Sequence, residues 1–87
     1  MVTVYVLQSL VSSIKYVGIT EDLERRLKEH NQGKSKFTAT YIPWKIIYSE
    51  VHQNYLDARK REKYLKSAAG KKFLYKLLNE NSSSLPE

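Results

Sequence analysis

The sequence predicts an α+β domain: a small three-stranded antiparallel sheet flanked by three helices, in the order ββαβαα. Three observations predict it. Two β-branched and aromatic runs lie close together near the N-terminus, a third follows Pro43, and stretches with helical apolar spacing fill the intervals. With 87 residues and no Cys, the chain has room for one domain and no disulfide framework. Residues 1–80 are expected to form that domain and 81–87 a flexible C-terminal tail.

Val2 to Leu7 contains no Gly or Pro and reads as the first strand. Gln8 to Ser13 is a turn, and Ile14 to Val17 a second strand stopped by Gly18, which makes the pair an antiparallel hairpin. Thr20 is the expected N-cap of the first helix, with Glu21 and Asp22 in its first turn. Leu23 and Leu27 mark the buried stripe of that helix, which ends near His30 and is stopped by Asn31 to Gly33. Lys34 to Pro43 is a loop, and Trp44 to Val51 the third strand, where Pro43 suits an edge or a strand start. Asn54 and Asp57 form a capping box with Asp in place of Glu, opening a helix to about Lys66. After an interruption at Ser67 to Gly70, Phe73, Leu74, Leu77 and Leu78 give the apolar stripe of a last helix, opposite Lys71, Lys72, Tyr75 and Lys76.

The charge is uneven. The net is +6, yet residues 1–58 hold seven basic and six acidic side chains, whereas Arg59 to Lys76 holds eight basic residues and only Glu62 as an acid. A solvating helix face normally mixes signs, because like charges a turn apart repel. A basic run threaded with Tyr64, Phe73 and Tyr75 points instead to phosphates. No apolar run approaches the roughly 20 residues that span a bilayer, and the N-terminus has no signal-peptide pattern, so a cytoplasmic protein without a membrane role is expected.

Five side chains are candidates for chemistry. If the hairpin closes about residues 10 and 11, Tyr5 lies opposite Tyr16 on one face, either as an ordinary aromatic pair or as two phenols that orient water. Arg26 and His30 stand one turn apart on the first helix, where they either border the buried stripe or hold a phosphate. Glu62 shares a core-facing stripe with Ala58 and Leu65, so it is either paired with a neighbour such as Arg59 or Lys66 or a ligand for a divalent cation. With no Cys and only His30 and His52, a structural zinc site is excluded, and the scattered Gly18, Gly33 and Gly70 build no phosphate loop.

Val4-Tyr5-Val6, then Tyr16-Val17-Gly18, Arg26, His30 and Glu62 in that order resemble the signature of the GIY-YIG endonuclease superfamily. His30-Asn31 with Gly33, Lys36-Phe37-Thr38, Pro43, Glu50, and Ala58 through Glu62 to Leu65-Lys66 are similar to its small stand-alone bacterial branch. The resemblance covers residues 2–78. It implies a divalent-metal-dependent endonuclease acting on DNA, with a place in DNA repair or recombination; a domain this small, with no helix suited to reading base edges, is expected to have low sequence specificity. On that resemblance, Glu62 binds one Mg²⁺ or Mn²⁺, and Tyr5 or Tyr16 contacts the attacking water, one of them as general base. Arg26 stabilises charge on the phosphoryl oxygens and His30 assists through a hydrogen bond. Two positions depart from the pattern: Val4 replaces a Gly, and where some relatives carry an Asn after the Glu this chain has Lys71, Lys72 and Leu74, with Asn79 the first Asn available. Lys36, Arg59, Lys63, Lys66, Lys71 and Lys72 are the expected DNA contacts, the DNA is expected to include branched or structured forms, and the protein is expected to be a monomer. The alternative is a non-catalytic nucleic-acid-binding module on the same fold.

Overall fold

Val2–Ser9 (β1) is apolar on both faces, and Val2, Val4, Tyr5, Val6 and Leu7 are all buried. Covered on both faces, it is also hydrogen-bonded along both edges. In this computed structural model, which describes residues 1–83, β1 lies between Lys15–Thr20 (β2) and Trp44–His52 (β3) in the order β2-β1-β3, antiparallel to both. Pro43 therefore does precede an edge strand.

Two expectations about the hairpin need correction. The second strand does not stop at Gly18 but runs through it to Thr20, and Tyr5 pairs with Gly18 while Tyr16 pairs with Leu7. The reason lies in the turn. The Gln8 side-chain amide donates to the Ser12 carbonyl at 3.0 Å and the Ile14 carbonyl at 3.2 Å, and the Ser9 amide donates to the Ile14 carbonyl at 3.0 Å. These bonds carry β1 past Leu7 and move the turn along the chain, so the two tyrosines become diagonal neighbours on one face.

Leu23–Asn31 (α1) is capped by Asp22, whose carboxylate accepts the Arg25 amide at 3.1 Å, and not by Thr20. Thr20 ends β2, where its hydroxyl accepts the Asp22 amide at 3.1 Å. The segment expected to be all loop contains a short helix, Lys36–Ala39 (α2). Tyr55–Lys66 (α3) starts at the expected cap, with Asn54 accepting the Asp57 amide at 2.9 Å. The break after α3 is confined to Ser67, which is extended, and Ala68–Ser83 (α4) follows at once. α4 thus continues three residues into the stretch expected as tail, and residues 84–87 lie outside the described residues.

The sheet buries two clusters. On one face Val2, Val4, Val6 and Val17 pack with Ala58 and Leu65 of α3 and Leu74 of α4. On the other, Tyr5, Leu7 and Trp44 pack with Leu23 and Leu27 of α1, Ile14, Tyr16 and Tyr41. A β-bulge in β3 lets that strand serve both. Val6 faces Tyr48 but Leu7 faces Ile46, leaving Ile47 as the extra residue, so Trp44 points to one face and Tyr48, Glu50 and His52 to the other.

Candidate active site

The exposed edge of β2 is where four of the five candidate side chains meet. Tyr5 reaches toward it from β1 across Gly18: a Cβ on Gly18 would stand 2.6 Å from the Tyr5 hydroxyl and 3.0 Å from Tyr16 Cε2. The bare glycine is the floor on which both phenols rest, with ring centroids 6.2 Å apart. α1 covers this floor and supplies His30, whose ring lies 4.9 Å from that of Tyr16.

His30 is completely buried and bridges two partners. Its Nε2 is 3.0 Å from the Tyr5 hydroxyl and its Nδ1 2.8 Å from Thr38 Oγ1. The Thr38 hydroxyl donates its one hydrogen to the Ser35 carbonyl at 3.3 Å. Nδ1–H must then donate to Thr38, and Nε2 accepts from Tyr5. This tautomer is neutral, in keeping with a pKa held below the ordinary histidine value by burial and by the nearby Arg26. Burial also pushes the Tyr5 phenol up to about 12, reinforced by the neighbouring Tyr16 and opposed by Arg26, with Glu62 adding a smaller upward push.

Arg26 projects from α1 beside Tyr5 and Tyr16, partly exposed, and holds Glu29 at 3.0 Å. Its charge raises no conflict there, because Glu29 and the phenol oxygens both favour the guanidinium. Glu62 comes from α3, which packs on the sheet's opposite face. Its side chain is 16% exposed and is bridged by Lys66 at 3.1 Å and Arg59 at 3.8 Å. Both ion-pair readings of Glu62 therefore occur, with the same carboxylate still within electrostatic reach of Tyr5. Across the β2–α1 turn, the Tyr55 hydroxyl donates to Glu21 at 2.8 Å and ties the start of α3 to the start of α1.

Tyr5, Tyr16, Arg26 and His30 thus gather at one strand edge, while Glu62 stands on a helix of the other face and reaches Tyr5 only through its charge. Tyr16 opens onto a groove of about 940 Å³ and Arg26 onto a cleft of about 590 Å³; Glu62 lines neither. Of the residues expected to contact DNA, Lys66 and Lys71 line the groove, and Lys36, Arg59, Lys63 and Lys72 are exposed beside it or elsewhere on the surface. Asn79 also lines the groove, on α4. Arg61 belongs to none of this: it turns to Glu50 at 2.7 Å and stacks over Tyr64 and Phe73 at 5.0 and 4.9 Å. Sequence reasoning gave no site role to Thr38, which fixes the His30 tautomer, and expected Asn31 only to stop α1, whereas it is the last residue of α1 and its amide brackets the Trp44 backbone at 2.6 and 3.1 Å. A buried histidine needs a second partner, but nothing in sequence says that the partner lies eight residues on.

To a divalent cation this set offers the single carboxylate of Glu62. Among the described residues no group of three His, Cys, Asp or Glu gathers, so no all-protein cage exists. Mg²⁺ keeps most of its waters and asks for one or two carboxylates, which Glu62 supplies. The lysine and arginine on Glu62 are more than half exposed and bind it weakly, so both can give way to a divalent charge.

This sheet with its crossing helices, and a tyrosine pair over a glycine beside Arg, His and Glu, define a recognisable class. The family model of the GIY-YIG catalytic domain matches residues 1–81, and the chain belongs to the GIY-YIG family. Among curated proteins it is 41% identical over 64 residues to a UPF0213 protein of Clostridium perfringens, covering 72% of this chain and 68% of that one. It is 38% identical over 78 residues to a UPF0213 protein of Lactococcus lactis subsp. cremoris, covering 88% and 79%. The solution NMR structure of a UPF0213 protein from Bacillus halodurans superposes with a TM-score of 0.54 at 30% identity, over 88% of this chain and 85% of that one. No helix among the described residues is long and apolar enough to cross a membrane.

Proposed function

We propose that this protein is a divalent-metal-dependent endonuclease that hydrolyses DNA phosphodiester bonds with low sequence specificity. The observation that carries the reading is the meeting of Tyr5, Tyr16, Arg26 and His30 at one strand edge, with Glu62 near enough to act on the Tyr5 phenol.

The two tyrosines have different tasks. At a pKa of about 12, only about one Tyr5 in 10⁵ is ionised at pH 7. Tyr5 is also buried, so it meets no bulk water. It serves as a positioning residue, locked by His30 and through it Thr38, and its hydroxyl stays neutral beside Tyr16. Tyr16 lines the open groove and is the phenol that contacts the attacking water; as general base it acts as phenolate, whose oxygen takes the water's proton as the water attacks phosphorus. Arg26 exchanges Glu29 for the phosphoryl oxygens, where its planar fork meets two at once. Glu62 would hold Mg²⁺ or Mn²⁺, which supplies neutralisation of the phosphodiester charge. His30, with no exposed surface, does not touch the substrate and serves to hold Tyr5.

Plasmid nicking tests this reading. With Mg²⁺ or Mn²⁺ the wild type should nick, chelation should abolish it, and Glu62→Gln should be inactive. Arg26→Ala and Tyr16→Phe should each fall by about 100-fold or more. Nicking that survives equally in all variants, or none from the wild type, overturns it. The ion pairs now on Glu62 would then mark the second reading, a nucleic-acid-binding module without catalysis.

A further inference from the structure

The groove beside Tyr16 is not explained by hydrolysis alone. Its far wall is built from parts distant in sequence. Gln8 pairs with Lys15 on β2 and with Lys45 on β3, so the two lysines flank it on the same face of the sheet, about 10 Å apart. Lys66 and Lys71 face them from α3 and α4. No carboxylate lines the groove among the described residues, and Lys15, Lys45 and Lys71 form no ion pair there. Four like charges around one concavity, of which only Lys66 has an ion-pair partner among the described residues, suit a polyanion.

The rest of the lining narrows the choice. Phe37 is 52% exposed and Tyr75 71% exposed, large rings left in water at the groove walls. Phe37 lies 6.3 Å from Tyr16, so the aromatic wall continues into the candidate site. Between them the floor is apolar, formed by Val17, Leu65 and Leu74. A duplex gains little here, because its bases are already stacked inward and it offers only phosphates. An unpaired strand offers phosphates to the lysines and base faces to the rings.

We propose that this groove binds single-stranded DNA and delivers it to Tyr16, so that the substrate is a single strand or the single-stranded part of a branched molecule. The proposal rests on the nuclease reading for its link to cleavage, but the binding stands by itself. The lysines Lys15 and Lys45 hold the backbone on the sheet side, Lys66 and Lys71 on the helix side, and Phe37 and Tyr75 stack on bases. Lys66 also touches Glu62 at 3.1 Å, so backbone binding and release of the carboxylate are coupled at one side chain.

Fluorescence anisotropy with a labelled 20-nucleotide DNA strand, its duplex and the RNA strand of the same sequence tests this. The chain carries Glu62→Gln and no metal is added, so cleavage does not interfere. The single DNA strand should bind about tenfold more tightly than the duplex at 0.1 M salt. Tyr75→Ala and Lys45→Glu, both at exposed positions, should each weaken single-strand binding about five- to tenfold, whereas Lys28→Glu on α1 should leave it unchanged. Equal or tighter duplex binding, single-strand affinity indifferent to Tyr75→Ala, or tighter binding of RNA overturns the proposal. A wild type that prefers single strands but never cleaves them overturns the nuclease reading alone; one that cleaves duplex without that preference overturns this proposal alone.

Discussion

A methyl group at position 18 would collide with the hydroxyl of Tyr5 and crowd the ring of Tyr16, and this fixes where both phenols sit. Gly18→Ala should therefore destabilise the fold by about 1–3 kcal/mol and displace Tyr5, measured by thermal melting. Tyr5 itself is readable by pH. Its phenol keeps its proton in the folded chain up to about 12, against 10.0 in the unfolded one. The folded state binds the extra proton in that window, so this contribution to stability is complete below pH 10 and fades as pH rises toward 12. Melting curves of wild type and Tyr5→Phe should diverge below pH 10 and converge above it. A constant difference between them across pH 9–12 would show that the Tyr5 proton is not held this way. His30 works in the opposite direction: its folded pKa is lowered, so its contribution is complete above about 6.5 and declines as pH falls below that.

Among the elements, α3 matters most, because it carries Glu62 and contacts all three strands. Ala58 and Leu65 anchor its core face, and Arg61 locks it to β3 through Glu50, which also accepts from the Tyr48 hydroxyl and lies 2.8 Å from His52. The bulge at Ile47 is what turns Tyr48, Glu50 and His52 toward α3. The helix is held on its other side by α4, whose Gly70 packs so closely that a Cβ there would overlap the Tyr64 carbonyl and Leu65 Cα. Backbone cannot yield as a side-chain tip can. Gly70→Ala should force α4 off α3 and lower stability by at least about 2 kcal/mol, more than Gly18→Ala, with urea midpoints as the measure. A Gly70→Ala chain as stable as the wild type would mean that α3 and α4 are not packed this tightly.

At the scale of the whole molecule, the basic excess is divided between internal ion pairs and an open groove. Arg61 is used internally, Lys66 and Arg59 sit on Glu62, and Lys71, Lys15 and Lys45 face the groove. Nucleic-acid affinity should fall steeply with salt, and Lys71→Glu combined with Lys72→Glu should reduce the slope of log affinity against log salt by about 1.4 for a single strand, if both touch phosphate. A slope changed by half that amount would leave Lys72 outside the interface, since only Lys71 lines the groove.

Local chemistry determined much of this protein. The strand and helix order, the Asn54 cap, the break near Ser67 and the ordered set of Tyr, Tyr-x-Gly, Arg, His and Glu all rest on short-range preferences or spacing, which a sequence displays directly. Only tertiary structure decided the hairpin register, the fate of Gly18 and the placing of Lys15 and Lys45 on either side of Gln8. The same holds for the bulge that turns β3 over and for the Thr38 contact that sets the histidine proton. Each of these depends on which distant atoms come within a few ångströms. A one-residue shift in pairing moves a side chain to the other face, and no local preference records that shift.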